Sequence, residues 1–429
     1  MLEIAEILDS VGSDVFFHFD EGHVDWTSDK KASLIIQSNG KKSCIELTDS
    51  KTIEEIGASI SYYFKDCNLY SWNLKNIISF FKKKASLNLK FESQVYDLYI
   101  LCSYFSISLK KPKRTQDAVL IVDHLKKTSG WEDFVNFYEK IYTPLIYEVI
   151  PEIETNPLVD LKNKNFAHCY YELEGQANGR MKTLKISPNS YMPHSMSEED
   201  KENLSLPDPD DVFLVFDYKH MEVSVLEWLT KDEGLSEILS EDRDLYSSVW
   251  ENLTKTDADE SQRSLCKKIF LPVVFGLRPK SLSRKIGLSE KNASKLIYKL
   301  IDTFPVAFSW VEAQRVDSNN FATDFFGRRR SFLENEFYKI RNFCVQSPSN
   351  MICLKKLVDL HGSLRDAKLR FHVHDGYVVS CRKRDMNSVY EDVKFILEKD
   401  DEMFPNLKLK VSCKYGKNLN NLFNINEVP

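Results

Sequence analysis

The segment DDVFLVFDYKHMEVSVLEWLT, residues 210–230, constrains the fold more than any other part of the chain. Its first half is a run of β-branched and aromatic residues, typical of a buried strand, that leads to Asp217. Its second half has apolar residues at helical spacing. A carboxylate at the end of a buried strand is costly to desolvate unless it is compensated, and a divalent cation is a strong compensator. The segment predicts a strand and then a helix, with an acid between them that a metal ion could stabilise.

A second aspartate lies in a similar segment. The sequence LRFHVHDGYVVSC, residues 369–381, has the composition of two strands, with a turn predicted at Asp375 and Gly376. Two carboxylates at strand ends form a donor set that could share divalent cations. Each aspartate by itself is equally compatible with a turn residue whose carboxylate accepts hydrogen bonds from nearby amides.

Between these two acids lies a concentration of positive charge. The window 263–285 contains seven Lys or Arg and no Asp or Glu, although the whole chain has a formal net charge of −6. If RSLCKKIFLPVVFG (263–276) is a helix, Arg263 and Lys267 lie on one side of it, beside apolar residues. Such a face can bind a triphosphate through its cations while a base stacks on the remainder, or it can be an ordinary solvated face. A second basic cluster, FGRRRSF (326–332), has the same two interpretations.

Composition limits the class of protein. At 429 residues and 42% hydrophobic content, the chain is long enough for two or three domains with a substantial core. The sequence pI of 5.9 means that binding to a polyanion must rest on local basic patches. The nine cysteines lack the CxxC or Cys/His spacing of metal sites, which favours reduced thiols in a cytosol. An acidic N-terminus, and no apolar run of the ~18 residues that span a bilayer, predict a cytoplasmic protein without a membrane segment.

Three segments resemble the palm and fingers motifs of family A DNA polymerases, the bacterial and phage DNA polymerase I class. They are DYKHME (217–222), RSLCKKIFLPVVFG (263–276) and HVHDG (372–376), in the family's order. Supporting similarities are GQANGR (175–180), TDFFGRRR (323–330) and NFCVQ (342–346). The resemblance covers residues 138–420, and the common order of six individually weak motifs makes it specific.

The resemblance implies an α/β (α+β) fold in four parts. These are a degenerate, RNase H-like 3′-5′ exonuclease-type domain (1–132), a first part of the palm with an antiparallel sheet (133–243), helical fingers (244–335) and a second part of the palm (336–429). The thumb is expected to be absent or minimal, deleted near 160–168, because only a few residues separate the flanking palm segments. Even one short helical hairpin would need on the order of 40 residues at ~1.5 Å per residue.

The resemblance also implies roles for individual residues. Asp217 and Asp375, with the carbonyl of Tyr218, match the ligands of two Mg²⁺ ions, and both aspartates are expected to be catalytic. Arg263 and Lys267 match residues that grip the triphosphate, and Lys267 is also expected to act as general acid toward pyrophosphate. The further nucleotide-binding residues are Leu271, Phe275, Glu222 and Tyr246. The expected DNA-binding residues are Arg180, Gln346, His374, Arg328, Arg329 and Asn342.

Several positions depart from the family's pattern. Glu222 matches the family's gate against a ribose 2′-hydroxyl, but the tyrosine whose hydroxyl would hydrogen-bond that gate is Phe275 here. Sugar discrimination is therefore expected to be looser. Pro272 lies inside the predicted helix, where a missing N–H and a ring clash cost ~3 kcal/mol or kink the axis. Further departures are Leu271 for an aromatic residue, Tyr246 for a triphosphate-contacting histidine, Lys219 and His220 for a Ser-Gln pair, and Gly376 for the second acid of the third motif.

The N-terminal domain is expected to keep an exonuclease fold without the activity. In YSWNLKNIISFF (70–81), Ile77 occupies the place of the family's metal-binding Asp. Asp20 and Glu21 are adjacent where the family has D-x-E, and adjacent residues on a strand point to opposite faces. Asp97 is interpreted as a structural remnant. The chain is therefore predicted to lack proofreading.

Together these features predict a template-directed DNA polymerase that uses primer-template DNA and dNTPs. A missing thumb and an acidic pI predict weak, salt-sensitive DNA binding, and hence a protein partner that supplies the thumb or processivity function. The economy of the chain favours a viral or phage replicase in the host-cell cytoplasm. Two alternatives stay open. One is a single-subunit RNA polymerase, whose third motif tolerates a small residue such as Gly376, and the other is a catalytically dead replication scaffold.

Overall fold

A computed structural model describes residues 12–20, 32–107, 110–240 and 244–425. Two compact units are present. The first comprises Met1–Asp217, Cys353–Ile396 and Ser412–Pro429, and the second comprises Tyr218–Ile352 and Leu397–Val411. The chain therefore passes from one unit to the other inside continuous elements, and the predicted division into four parts stays a prediction.

The secondary structure is mixed, as predicted. The strands are β1 (Asp14–Phe19), β2 (Ala32–Ser38), β3 (Lys41–Leu47), β4 (Asn68–Ser71), β5 (Val95–Asp97), β6 (Leu158–Asp160), β7 (Asn165–Ala167), β8 (Tyr171–Glu172), β9 (Lys182–Thr183), β10 (Leu204–Ser205), β11 (Asp211–Tyr218), β12 (Phe321–Thr323), β13 (Arg329–Ser331), β14 (Ala367–Val373), β15 (Gly376–Arg382), β16 (Val411–Gly416) and β17 (Phe423–Asn424). The α-helices are α1 (Ser50–Tyr63), α2 (Leu74–Ala85), α3 (Leu98–Tyr104), α4 (Thr115–Leu125), α5 (Trp131–Phe137), α6 (Ile150–Thr155), α7 (Glu198–Asn203), α8 (Met221–Thr230), α9 (Glu233–Ser240), α10 (Leu245–Thr254), α11 (Glu260–Val274), α12 (Pro279–Ile286), α13 (Glu290–Thr303), α14 (Pro305–Ala313), α15 (Ile340–Ser363) and α16 (Met386–Glu398).

A five-stranded sheet in the order β3-β2-β1-β4-β5 forms the N-terminal part of the first unit. Its β1 pairs antiparallel with β2 and parallel with β4, and β4 pairs parallel with β5. The predicted strands DVFFHF and ASLIIQS are β1 and β2, and nearly all of their side chains are buried. Helix α2 buries Ile77, so this side chain is a core residue. Asp20 follows β1, whereas Glu21 lies outside the described residues, and the exonuclease interpretation stays a prediction.

Asp97 has the contacts of a helix cap. Its carboxylate, only 1% exposed, accepts hydrogen bonds from the backbone N–H groups of Asn73 (3.1 Å), Leu74 (2.8 Å) and Tyr99 (3.0 Å). One side chain thus satisfies amides at the starts of both α2 and α3. Burial raises the pKa of Asp97 to about 6, although these hydrogen bonds oppose the rise.

Replacement of Asp97 by Ala is therefore expected to destabilise the first unit. The buried N–H of Leu74 would lose its acceptor at a cost of about 1–3 kcal/mol, and the part-buried N–H groups of Asn73 and Tyr99 would each cost less, so a loss of about 2–4 kcal/mol in the free energy of unfolding is expected. Urea unfolding followed by circular dichroism measures this change. Asp97→Asn keeps one acceptor oxygen and is expected to lose less. An unchanged urea midpoint for Asp97→Ala would contradict the capping role.

Residues 131–155 are helical, as the spacing of their apolar residues predicts. Helices α5 and α6 are joined through two π-helical segments, Tyr138–Tyr142 and Leu145–Val149. The predicted apolar face is buried at Phe134, Phe137, Ile141, Leu145 and Val149. From Leu161 to Arg180, a stretch that the structure describes in full, there are turns and the short strands β7 and β8 but no helix.

A second five-stranded sheet carries both acids that the sequence singles out. Its order is β14-β15-β11-β16-β17, and β15 pairs antiparallel with both β11 and β14. Strand β11 is held by the buried side chains of Val212, Phe213, Leu214 and Phe216. The β14–β15 turn differs by one residue from the prediction: His374 adopts the left-handed conformation (φ 55°) and Gly376 begins β15.

The second unit is mainly helical, as predicted for residues 244–320. Helices α8 to α14 surround a core that includes Leu226, Leu245, Phe270, Phe304 and Val311. Ser289 caps α13 by accepting a hydrogen bond from the N–H of Asn292. Helix α11 runs through Pro272 and ends two residues later, so the backbone bond lost at proline lies in the last turn. None of the helices in the described parts of the chain is long and apolar enough to cross a membrane.

Candidate active site

Asp217 and Asp375 lie at the same end of the β11–β15 pair. Asp217 is paired in register with Gly376, the first residue of β15, and Asp375 is the residue before it. Asp217 is exposed and Asp375 is half-buried, so both carboxylates can be reached from solvent. A Cβ added at Gly376 would lie 3.3 Å from Oδ1 of Asp217. The glycine therefore leaves space beside the first carboxylate at the position where the family has a second acid.

Hydrogen bonds from neighbouring elements hold the backbone that carries these acids. The hydroxyl of Tyr171 donates to the carbonyl of His372 (2.7 Å) and accepts from its N–H (3.0 Å). Ser412 Oγ donates to the carbonyl of Asp217 (3.2 Å). Burial and the charges of Asp375 and Asp217 raise the pKa of the Cys353 thiol in the same unit, which keeps it protonated. Both acids are thus placed by a fixed backbone.

The donor set fits Mg²⁺. Carboxylate oxygens are its preferred protein ligands, and it is commonly bound by one or two carboxylates, waters and substrate phosphates. Asp217 is exposed, and any larger residue at position 376 would place its Cβ 3.3 Å from Oδ1 of Asp217, so glycine keeps this carboxylate accessible. Among the described residues, no group of three or more His, Cys, Asp or Glu side chains is placed to hold a metal ion. Tyr218 is buried with its hydroxyl bound to the carbonyl of Leu397 (3.0 Å), and the role of its own carbonyl stays a prediction.

A histidine cluster surrounds the turn that precedes Asp375. His374 is exposed, and its ring lies 4.8 Å from that of His194. Burial, together with the charges of His374 and Arg180, lowers the pKa of His194 to about 4. Burial likewise lowers the pKa of His374, with the Arg180 charge acting in the same direction. Arg180 therefore lies close enough to both histidines to influence their pKa values, and the predicted roles of Arg180 and His374 in DNA binding stay predictions; His194 has no distinguishing motif in the sequence.

In the second unit, Arg263 is held by a carboxylate that the sequence did not single out. Its Nε lies 3.0 Å from Oδ1 of Asp244 and its Nη2 lies 3.0 Å from Oδ2, which is a bidentate pair. Nη1 lies 3.3 Å from Glu260, whose side chain is 82% exposed. Burial raises the pKa of Asp244, but hydrogen bonds from Arg263 and Ser247 outweigh it, so the pKa is lowered overall. Lys267, four residues along α11, is exposed.

His220 lies against Tyr246 in the same unit. Their ring centroids are 5.0 Å apart and their planes are perpendicular. Burial lowers the pKa of His220, Asp244 raises it, and the charges of Lys219, Lys267 and Arg263 lower it. Burial raises the pKa of Tyr246, which is only 8% exposed, and the charge of Asp244 adds to the rise. Tyr246 thus places a buried phenol near Asp244, at the position where the resemblance implies a histidine.

Glu222 has a hydrogen-bond partner that the sequence did not reveal. Nε2 of Gln346 donates to Oε1 of Glu222 at 2.8 Å, across 124 residues of sequence. Phe275 and Leu271 are partly buried and pack against the core of this unit. Gln346 therefore donates a hydrogen bond to Glu222, the residue predicted to exclude a ribose 2′-hydroxyl, whereas the predicted role of Gln346 itself is in DNA binding.

The remaining predicted DNA-binding residues, Arg328, Arg329 and Asn342, differ in burial and in their contacts. Arg328 is 1% exposed, and its charge opposes the rise that burial causes in the pKa of Asp324. An enclosed guanidinium cannot reach a phosphate without rearrangement, so this burial does not favour the predicted role of Arg328 in DNA binding. Arg329 pairs with Asp317 (3.2 Å) and lies 4.4 Å from the centroid of the Phe321 ring. Asn342 is half-buried, and its Oδ1 has no hydrogen-bond partner.

Comparison with solved structures defines the class of fold. The POL domain of Pol1 from M. smegmatis, solved in complex with DNA primer-template and dNTP, matches with a TM-score of 0.74 at 14% sequence identity. The match covers 97% of this chain and 98% of that chain. The chain therefore has the fold of a polymerase domain, as the motifs predicted.

The family model described as DNA polymerase family A matches residues 109–421. The chain belongs to DNA polymerase family A. DNA polymerase I of Bacillus subtilis is 24% identical over 207 residues, which are 43% of this chain and 24% of that protein. DNA polymerase I of Caldicellulosiruptor bescii is 22% identical over 379 residues, which are 80% of this chain and 44% of that protein. The chain thus spans less than half the length of these curated relatives.

Proposed function

We propose that this chain is a template-directed DNA polymerase that adds dNMPs to a primer 3′-hydroxyl. The observation that carries the proposal is the β11–β15 register, in which Asp217 pairs with the residue that follows Asp375. Family membership and the likeness to a polymerase domain solved with DNA primer-template and dNTP support it.

Asp217 and Asp375 would hold two Mg²⁺ ions, with the carbonyl of Tyr218 as a further ligand. Bound there, the ions would lower the pKa of the primer hydroxyl and stabilise charge on the phosphates. Arg263 would bind the triphosphate through its guanidinium, which Asp244 orients through Nε and Nη2. Nη1 is paired only with the exposed side chain of Glu260, which a phosphate could displace. Lys267 would hold the same phosphates and donate a proton to pyrophosphate.

Each of the two units has its own candidate residues for contact with the primer-template. Arg180 and His374 would contact the primer terminus and the minor-groove side of the new duplex. Arg329 is a further candidate, whereas the Asn342 amide oxygen is buried without a hydrogen-bond partner and would have to rearrange to reach DNA. Arg328 is better explained as an internal cation.

A partner subunit is part of the proposal. The helix-free stretch from Leu161 to Arg180 supports the absence of a thumb at this point, and Leu161 and Phe166 are 54% and 58% exposed there. With a net charge of −6, the chain alone is expected to hold DNA weakly and in a salt-sensitive manner. Burial of Ile77 and the capping role of Asp97 support a lack of proofreading. We place such a replicase in a virus- or phage-infected cytoplasm.

Extension of a labelled primer on a template, at low salt with Mg²⁺, tests the polymerase activity. Parallel reactions with dNTPs and rNTPs distinguish the DNA polymerase from the alternative RNA polymerase, and a primer with a 3′ mismatch tests proofreading. We expect extension to stop as the salt concentration rises and to recover when candidate partner proteins are added. Absence of extension under all of these conditions would favour the dead-scaffold alternative.

Sugar discrimination is expected to depend on Gln346. Loss of its hydrogen bond to the Glu222 carboxylate in Gln346→Ala removes one charged interaction, so the preference for dNTP over rNTP should fall about tenfold. The ratio of kcat/KM values for dCTP and CTP measures it. Phe275→Tyr, which restores the hydroxyl that the family uses, is expected to recover part of the preference in the Gln346→Ala background.

Gln314→Ala is the matched control, because the Gln314 amide donates only to the carbonyl of Trp310 in the previous helical turn. Equal sugar preference in Gln346→Ala and Gln314→Ala would contradict the role of Gln346 as the partner of the gate. A fall in dNTP incorporation without a change in sugar preference would indicate that Gln346 acts on DNA alone.

A further inference from the structure

Resting on the proposed polymerase function, we propose that Lys75 and Glu154 are positioning residues for Asp375. Lys75 lies on α2, which packs on β1 of the N-terminal sheet, and Glu154 lies on α6. Both side chains are buried in the first unit. They begin a series of contacts that passes through Tyr171 and reaches the backbone of His372, three residues before Asp375. The N-terminal part of this unit would thereby hold in place one of the two proposed metal-binding acids.

Glu154 is the centre of this series of contacts. Its side chain is 0% exposed, and Nζ of Lys75 lies 2.7 Å from its Oε1. Ser79, one turn further along α2, donates its hydroxyl to Oε2 at 2.6 Å. The backbone N–H of Tyr171 donates to Oε1 at 2.8 Å. A single carboxylate on α6 thus joins two side chains of α2 to the backbone of β8.

Stability alone does not account for an ion pair that is buried in this way. Desolvation of two charges offsets most of their attraction, so apolar side chains of similar volume often give an equally stable protein. Removal of one partner, in contrast, leaves a buried charge without compensation. The buried pair therefore acts on geometry: it allows one arrangement of α2, α6 and β8, in which the carboxylate keeps all of its donors.

Tyr171 connects β8 to the second sheet. Its hydroxyl donates to the carbonyl of His372 at 2.7 Å and accepts from the N–H of the same residue at 3.0 Å. Because β14 is the outermost strand of that sheet, the hydroxyl occupies the place that the peptide group of a further strand would take. Burial raises the pKa of the Tyr171 phenol, so the hydroxyl stays protonated and can donate. Strand β14 ends one residue later, and the turn that carries Asp375 follows.

Helix α3 holds the same segment at two further points. The hydroxyl of Tyr99 donates to Oε1 of Glu172 at 3.0 Å, and the hydroxyl of Ser103 donates to Oε2 of Glu174 at 3.1 Å. Glu172 is the last residue of β8 and directly follows Tyr171. These contacts and the buried carboxylate on α6 therefore fix the position of Tyr171 relative to the N-terminal sheet.

Tyr171→Phe in the full chain tests the last contact of the series, because it removes the hydroxyl and keeps the buried ring. The turn would then adopt its working position for a smaller fraction of the time. We expect kcat for primer extension to fall about tenfold and the Mg²⁺ concentration for half-maximal rate to rise, while KM for dNTP stays within about twofold of the wild type.

Tyr138→Phe is the matched control for this substitution. The Tyr138 side chain is also buried in the first unit, and its hydroxyl also donates to a backbone carbonyl, of Val95 at 2.8 Å, and accepts from a backbone N–H, of Asp97 at 3.1 Å. These two bonds lie on β5 of the N-terminal sheet. Tyr138→Phe should therefore lower the unfolding temperature about as much as Tyr171→Phe does, with kcat and the Mg²⁺ dependence unchanged.

Two double variants test the buried pair. Lys75→Met/Glu154→Gln removes both charges and keeps an amide oxygen that can accept from the N–H of Tyr171. Lys75→Met/Glu154→Leu removes both charges and that acceptor as well. Neither leaves a buried charge without its partner, so both should fold. We expect kcat within about threefold of the wild type for the first variant, and about a tenfold loss for the second.

Amide hydrogen exchange, followed by mass spectrometry without metal or nucleotide, measures the same coupling independently of activity. The N–H of His372 is bonded to the Tyr171 hydroxyl, so its exchange should be at least about tenfold faster in Tyr171→Phe and in Lys75→Met/Glu154→Leu. Exchange at His372 should match the wild type in Tyr138→Phe and in Lys75→Met/Glu154→Gln.

The outcomes separate this inference from the proposed function. If the wild type extends primers but Tyr171→Phe behaves as Tyr138→Phe does, the inference is wrong and the polymerase proposal stands. Equal exchange at His372 in the two double variants would show that Glu154 does not act through Tyr171, and would also overturn the inference. If the wild type extends no primer but exchange follows the expected order, the coupling of the N-terminal part to the turn stands and the polymerase proposal fails.

Discussion

Replacement of Asp217 or Asp375 by Asn is expected to reduce primer extension at least about 10³-fold. Each change keeps the shape of the side chain and removes one negative charge from the carboxylate pair that would hold Mg²⁺. Metal ions contribute several kcal/mol of charge stabilisation in such sites, and each ~1.4 kcal/mol is a factor of ten in rate. Single-nucleotide extension, measured by rapid quench with saturating dNTP, gives the rate directly.

Asp366→Asn is a suitable control for both variants. Asp366 is exposed in the same unit and has a left-handed φ of 55°, a conformation that Asn tolerates as well as Asp does. It is expected to extend primers at the wild-type rate. Because Asp217 is exposed and Asp375 half-buried, both Asn variants should keep the unfolding temperature of the wild type. Activity within tenfold of wild type in either variant would contradict the carboxylate mechanism.

Arg263→Ala and Lys267→Ala are each expected to lower kcat/KM for dNTP about 10²- to 10³-fold. Both remove a cation that would bind the triphosphate, and charge-assisted hydrogen bonds to phosphate are the strong ones. Arg263→Lys should recover only part of the loss. An ammonium cannot reproduce the planar guanidinium, whose Nε and Nη2 each lie 3.0 Å from an oxygen of Asp244. Steady-state kinetics with varied dNTP, at fixed primer-template, measure these changes.

Lys268→Ala serves as the matched control, since Lys268 is an exposed cation on the same helix, adjacent to Lys267 but turned about 100° around the axis. Its kcat/KM should stay within about threefold of the wild type. A similar loss of kcat/KM in Lys267→Ala and Lys268→Ala would mean that α11 attracts the nucleotide through its total positive charge. It would contradict a specific contact between Lys267 and the triphosphate. An unchanged Arg263→Ala variant would indicate that the pair with Asp244 is structural only.

Much of the local structure follows from the sequence. Strand β11, the β14–β15 hairpin and helix α11 are all found where apolar periodicity predicts them. Periodicity succeeds here because one-sided burial is a property of consecutive residues. The one-residue difference in the β14–β15 turn arises because His374, rather than Gly376, adopts the left-handed conformation. A DG pair favours such turns but does not fix which residue takes it.

The partners of the site residues could not be predicted in the same way. The contact between Gln346 and Glu222 joins residues 124 apart, and the pair of Arg263 with Asp244 joins residues 19 apart on different helices. Neither contact leaves a period or motif in the sequence. The burial of Arg328 could not be predicted for a related reason. Three consecutive arginines are typical of an exposed basic cluster, and only the packing of the fold decides which of them is buried.

The sequence by itself determined the family, the order of the elements and the two acids, because motif residues and apolar spacing are local properties of the chain. Only the tertiary structure decided which side chains meet: Asp217 beside Gly376, Gln346 on Glu222, and His220 against Tyr246. Such contacts depend on strand register and on how helices pack, and a shift of one residue in a strand would turn its side chains to the other face. The chemistry proposed for this chain therefore begins in its motifs, and its departures from the family are explained by contacts between distant residues.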